Sequence, residues 1–294
     1  MNPSSFDYYR PESISEAIAL LQEHGENVKL LAGGHSLLPI MKLRLAEPDA
    51  LIDIGRIDAL RGVAKVADGI SIGALTTHRQ IAVDPLIERH APLLAVTASH
   101  VGDRQVRARG TLGGALAHAD AAADYPAAIL ALNAAMVAEG PSGERKIASS
   151  DFFLDFLTTA LEPTDVLTRI EIPAQPDGAG WSYRKLANQA SGYAIVGVAV
   201  LLVAGADGKI SEARIGGTGM AAVPWRATDA EQALVGAAAD DDAAITTAAN
   251  LVDLDIEALD DLHGSAEYRR RVARGLARRA IQEAIATSSA QGRW

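Results

Sequence analysis

The sequence predicts an α+β chain: two α/β units, then a unit of small antiparallel sheet plus helices. Three observations lead there. Up to residue 175, short apolar strand segments alternate with segments of helical period. Residues 174–180, AQPDGAG, break that pattern with Pro, Gly and small residues and no periodicity. Beyond them come three apolar strand segments, then alanine-rich helical runs to the end. The expected units are 1–57, 58–175 and 176–294.

The elements follow in order. Ser13 and Glu16 have the spacing of a capping box, with Ile14, Ala17, Ile18 and Leu21 on one helical face and Gly25 as the stop. Residues 28–31 read as a buried strand running into Ala32, Gly33, Gly34, His35 and Ser36. A helix is expected over 37–45 and a strand over 51–54. Residues 63–72 read as strand, Asp68-Gly69 turn, strand. Helical signals cover 79–83, 92–101 and 127–132, strand signals 135–139 and 166–172. In the last unit, strands are expected over 181–186, 195–203 and 210–215, the last two joined at Asp207-Gly208. The longest apolar run, 193–206, is 14 residues, short of the ~20 that span a bilayer.

Composition excludes several classes. The formal charge is −10, a poor basis for binding nucleic acid. There is no cysteine, so no disulfide and no thiolate for zinc or an iron–sulphur cluster. The N-terminal stretch is polar, without the apolar core of a secretion signal, and a cytoplasmic location is expected. Neither a GxSxG elbow nor a phosphate-binding GxxxxGK[ST] occurs.

Two glycine segments carry the chemical signal: Ala32 to Ser36, and Gly110, Thr111, Leu112, Gly113, Gly114. Without a Cβ, backbone can approach a ligand and aim successive amides at an anion. Ser36 and Thr111 could add hydroxyl donors, and two facing loops would suit a diphosphate. On spacing alone, tight strand-to-helix turns explain both segments as well. Gly217 to Ala222 matches GxGxxA, but Pro224 stands where a helix should run, against a nicotinamide site. His118, Asp120 and Asp124 read as a polar loop before a metal site. Asp240 to Asp242 read as a solvated loop, and the arginines at 269–271, 274, 278 and 279 as a solvated helix face, with docking to an acidic partner as the sharper alternative.

LAGGHSLLPIMKLRLAEPDALIDIGRI (31–57) and RARGTLGGALAHADAAADYPAAI (107–129) resemble the two signature stretches of the FAD-binding medium subunits of molybdenum hydroxylases. FDYYRPESISEAIALL, GYAIVGVAV and AEYRRRVARGLARRAI extend the likeness over nearly the whole chain. The carbon monoxide dehydrogenase branch is the one it resembles most; N-heterocycle and aldehyde hydroxylases stay open. The resemblance implies a PCMH/vanillyl-alcohol-oxidase-type FAD fold. It implies FAD bound by Ala32, Gly33, Gly34, His35, Ser36, Thr111, Leu112, Gly113 and Gly114, with Asp124 toward the ribose or adenylate side and Lys185 and Tyr193 near the isoalloxazine. No catalytic residue and no metal ligand are implied on this chain.

It further implies a dimer of heterotrimers: a large subunit with molybdenum–pterin, a small one with iron–sulphur clusters, and an acceptor such as a quinone, with association to the inner membrane face through the complex. Ala115 departs from the Asn, Asp or Ser that usually follows TxGG, removing one side-chain hydrogen bond worth about 1 kcal/mol. A self-contained flavoprotein oxidoreductase and a scaffold without FAD are the competing readings.

Overall fold

A computed structural model describes residues 2–289. Each unit is organised by its own sheet. In the first, strands Asp7–Tyr9, Ala50–Asp53 and Val28–Leu31 lie parallel, with Ala50–Asp53 in the centre. Helix Ile14–His24 buries Ala17, Ile18 and Leu21 and stops at Gly25, which has φ +71°. Ser13 Oγ accepts from Glu16 N at 3.1 Å. The returning carboxylate takes the amide of Glu12 rather than that of Ser13, so the capping box does not close on itself. The next helix is Leu37–Lys42, shorter than expected. Leu43 and Leu45 are exposed and Arg44 has φ +58°, so no apolar face extends it.

The second sheet has five antiparallel strands in the order Val63–Val66, Gly69–Gly73, Val166–Pro173, Ala135–Gly140, Gly143–Ala148. Its last strand, GERKIA, is a charged edge whose hydrophobic signal is too weak to read without its partner. Helices Pro92–His100 and Tyr125–Ala131 cover the sheet's core face.

The second glycine segment is not a loop. Thr111 is the N-cap of helix Leu112–His118, and Gly113 and Gly114 lie in its first turn.

The third sheet is antiparallel: Gly180–Ala187, Ala194–Ala204, Ile210–Thr218 and the short strand Trp225–Arg226. Helix Ala266–Ser289 seats directly on it; a Cβ at Gly180 would lie 1.9 Å from the carbonyl oxygen of Ala284. The sheet's other face joins the core of the second unit through Tyr183, Ala199 and Leu201. The GxGxxA match has a packing cause: a Cβ at Gly217 would meet the Trp225 ring at 2.1 Å. No helix begins at 219–224.

The arginine-rich helix corrects two expectations. Arg269 is buried, donating to both Asp261 oxygens (2.6 and 2.7 Å) and to the carbonyls of Ile195 (2.8 Å) and Gly219 (2.7 Å). Arg270 and Arg274 pair with buried Asp253, and Arg278 with Asp242. Asp241 caps helix Asp242–Leu251 by accepting from Ala244 N. Most of this basic face is therefore neutralised within the chain, and the acidic run works as cap and counter-charge.

Candidate functional site

The 32–36 loop leaves the carboxyl end of parallel strand Val28–Leu31, the end of such strands where ligand crevices form. Gly34 has φ +74°, left-handed backbone that favours glycine. Among the described residues, no hydrogen bond uses the amides of Gly33, Gly34, His35 or Ser36. Ser36 precedes helix Leu37–Lys42, yet its hydroxyl caps none of that helix's amides. Unengaged donors on a side-chain-poor turn are what an anion needs.

The two glycine segments face each other. A Cβ on Gly33 would lie 2.4 Å from Arg109 O and 2.8 Å from Gly110 Cα; a Cβ on Gly114 would lie 3.7 Å from Ala32 Cβ. Their contributions differ, which corrects the expectation of two amide cradles. The amides of Leu112, Gly113 and Gly114 already donate, to Thr76 O (3.0 Å), Ala74 O (2.9 Å) and Thr111 Oγ1 (3.1 Å). Leu112 and Gly113 are buried. Gly113 is glycine because Ala74 leaves no room: its Cβ would stand 2.4 Å from Ala74 Cβ. This segment shapes the site's wall, while the first one carries the free donors. Ala115 follows on the same helix, partly exposed.

Asp124 and Lys185 come together from 61 residues apart. Lys185 Nζ lies 2.8 Å from Asp124 Oδ1 and donates to its Oδ2 at 3.0 Å, and the Tyr183 hydroxyl donates to Oδ1 at 2.6 Å. Lys185 also donates to the carbonyls of His100 (2.8 Å) and Gly192 (2.7 Å). Both side chains are buried, at 5% and 6% exposure. Burial pushes the Asp124 carboxyl up against the opposing pull of Lys185. Both Asp124 oxygens thus already accept from within the chain, Oδ1 from Tyr183 and Oδ2 from Lys185.

Tyr193 is 39% exposed and stands beside the Ser36 hydroxyl. Burial raises its phenol, Asp120 and Asp124 add to that, and Ser36 opposes it. A cleft of about 280 Å³ opens next to it, lined by Asp120, Phe156, Asn188, Ser191 and His263 among others. A wider concavity of about 730 Å³ at Glu12, Arg56 and Arg61 touches neither glycine segment. Among the described residues no His, Asp and Glu cluster could hold a metal. Asp120 of the HADAAAD stretch instead accepts from Ala122 N at 2.8 Å.

Known proteins share this fold over nearly the whole chain. Residues 4–175 match the FAD binding domain in molybdopterin dehydrogenase, and residues 181–284 match the CO dehydrogenase flavoprotein C-terminal domain. The carbon monoxide dehydrogenase medium chain of Hydrogenophaga pseudoflava is 40% identical over 286 residues, 97% of this chain and 99% of the relative. The chain belongs to the family of FAD-binding medium subunits of molybdenum hydroxylases. A solved structure of the Hydrogenophaga pseudoflava carbon monoxide dehydrogenase, in a form lacking the Mo-pyranopterin moiety of its cofactor, superposes with a TM-score of 0.94 at 41% identity, covering 98% of this chain and 99% of that one. The nicotine 6-hydroxylase medium subunit of Paenarthrobacter nicotinovorans is 38% identical over 277 residues, 94% of this chain and 96% of the relative.

This medium subunit is an oxidoreductase subunit, and its residues fit FAD: among the described residues the amides at 33–36 have no partner, and they lie on a glycine turn. Sequence reading missed four further participants. Tyr183 and His100 pack edge to face at 5.6 Å, Tyr183 donating to Asp124 and the His100 carbonyl accepting from Lys185. Arg107 donates to the carbonyls of Val101 (2.8 Å) and Gly102 (2.9 Å). Gly192 has φ +73° and its backbone rests on Gly102. Of these only Gly192, in a polar run before an apolar strand, left a trace in the sequence. Among the described residues no helix is long and apolar enough to cross a membrane.

Proposed function

We propose that the chain is the electron relay of a molybdenum hydroxylase complex. FAD held on this chain would supply two-electron redox chemistry, linking the iron–sulphur clusters of a small partner subunit to an external acceptor such as a quinone. A large subunit with molybdenum–pterin oxidises the substrate, and the assembly is a dimer of heterotrimers. Carbon monoxide is the substrate favoured by the overall similarity, with N-heterocycles and aldehydes as alternatives. Association with the inner membrane face would come through the complex.

The residues divide the work. The amides of Gly33, Gly34, His35 and Ser36 meet the FAD diphosphate, following Ala32 at the strand end. Thr111, Leu112, Gly113 and Gly114 form the opposing wall, with Thr111 holding the helix turn in shape. Tyr193 borders the ring end of the site, and Asp124 and Lys185 support it from below. The protein binds, orients and excludes water, while the redox chemistry belongs to the cofactor.

The observation that carries this reading is the row of unengaged amides on the 32–36 loop, faced by Gly114. Its test is purification of the native complex, with flavin, molybdenum and iron counted per chain. One FAD per medium subunit, reduced by carbon monoxide and reoxidised by a quinone, is the expected result. A complex without flavin overturns it. Flavin reduction by substrate in this chain alone would support a self-contained oxidoreductase instead.

A further inference from the structure

The two ends of the 32–36 loop are joined by a closed circuit of contacts. Gly33 abuts the carbonyl of Arg109, the last residue of helix Arg104–Arg109. From that helix Arg107 holds the carbonyls of Val101 and Gly102. Gly102 lies against Gly192, whose added Cβ would be 3.3 Å from Gly102 Cα. Lys185 bonds both sides of the same seam, at His100 O and Gly192 O, and Asp124 balances its charge. Tyr193 follows Gly192 and stands beside Ser36, which closes the circuit.

An ammonium has three N–H donors, and here three segments from two units use them. The acceptors lie at a helix end, at an N-cap position and in a turn, none within a strand ladder. Replacing such a buried pair with apolar groups is often neutral for stability.

We propose that Lys185 is a positioning residue: through Gly192 it latches the 188–193 turn onto the FAD-binding unit and so sets Tyr193 against the 32–36 loop. The proposal rests on the flavin reading above and assigns flavin retention to a side chain whose own donors are used within the protein.

The test uses the assembled complex with an Asp124→Asn/Lys185→Met double variant, which leaves no stranded buried charge. Amide exchange across 188–194 is expected to speed up about tenfold or more, while strand 194–204 beyond its first residue keeps its protection. FAD should dissociate about tenfold faster. Tyr193→Ala should speed FAD loss in the native background and add nothing in the double variant. Unchanged exchange at 188–194 overturns the latch. Additive effects of Tyr193→Ala overturn its link to Tyr193. A native complex without FAD overturns the functional reading instead, and the exchange measurement still decides the latch.

Discussion

Gly33 stands so close to Arg109 that a Cβ would lie 2.4 Å from the Arg109 carbonyl oxygen. That contact presses the donor-bearing loop onto the end of a neighbouring helix. Backbone cannot retract as a side chain can, so any larger residue must displace the loop. Gly33→Val is therefore expected to misplace the amides at 33–36 with little loss of global stability, weakening FAD retention about tenfold or more. The ratio of flavin to protein absorbance in the purified complex checks this. A variant with full flavin would remove the loop from the site.

Gly113 should behave differently. Its missing Cβ faces Ala74 Cβ at 2.4 Å inside the fold, and its amide is already bonded to Ala74 O. Gly113→Val should thus lower stability first, by about 1–3 kcal/mol or more, with flavin loss only as a consequence. Denaturant midpoints of apo-protein compared with Gly33→Val separate the two. Equal midpoints would contradict the division into donor loop and packing wall.

His78 gives the chain a pH dependence. Burial, then His35 and Arg107, lowers its pKa from 6.5 to about 4. Its Nδ1 is 3.0 Å from the Tyr125 hydroxyl. The folded state disfavours a proton that the unfolded chain accepts. Stability from this group is therefore intact above pH 6.5 and declines as the pH falls toward 4, by at most about 3 kcal/mol. Unfolding free energies at pH 7 and pH 4.5 should differ by about 2 kcal/mol more in the native chain than in His78→Gln. Parallel pH profiles would count against a neutral buried imidazole.

Arg269 and Arg271 are neighbours in sequence with opposite roles. Arg269→Met leaves the carbonyls of Ile195 and Gly219 without their donor, while half-exposed Asp261 is left to water, an expected loss of about 1–3 kcal/mol. Arg271 is exposed, and Arg271→Ala should change stability by no more than about 0.5 kcal/mol. Chemical denaturation of both variants is the check. Similar losses would show a role for Arg271 beyond its solvated position.

Much of the fold was legible in local patterns. The strand at 28–31 and the hairpin about Asp207-Gly208 were, because an apolar run bounded by turn residues is a signal carried by neighbours in sequence. The glycine segments were legible as special backbone too, and family likeness supplied the ligand class. Sequence alone also determined the absence of thiolate ligands and the net acidity.

Tertiary structure decided what each of those features does. Whether a glycine presents an amide to a ligand or makes room for a neighbour depends on what stands within 3 Å of it, and Ala74 and Arg109 are distant in sequence from the glycines they crowd. The arginine face became a set of struts for the same reason: its acids come from residues 8 to 36 positions away. The Asp124–Lys185 pair spans 61 residues and two units, and only folding brings the two charges within 3 Å. Local spacing encodes backbone shape, whereas the occupancy of a donor or the neutralisation of a charge is settled by groups that meet only in three dimensions.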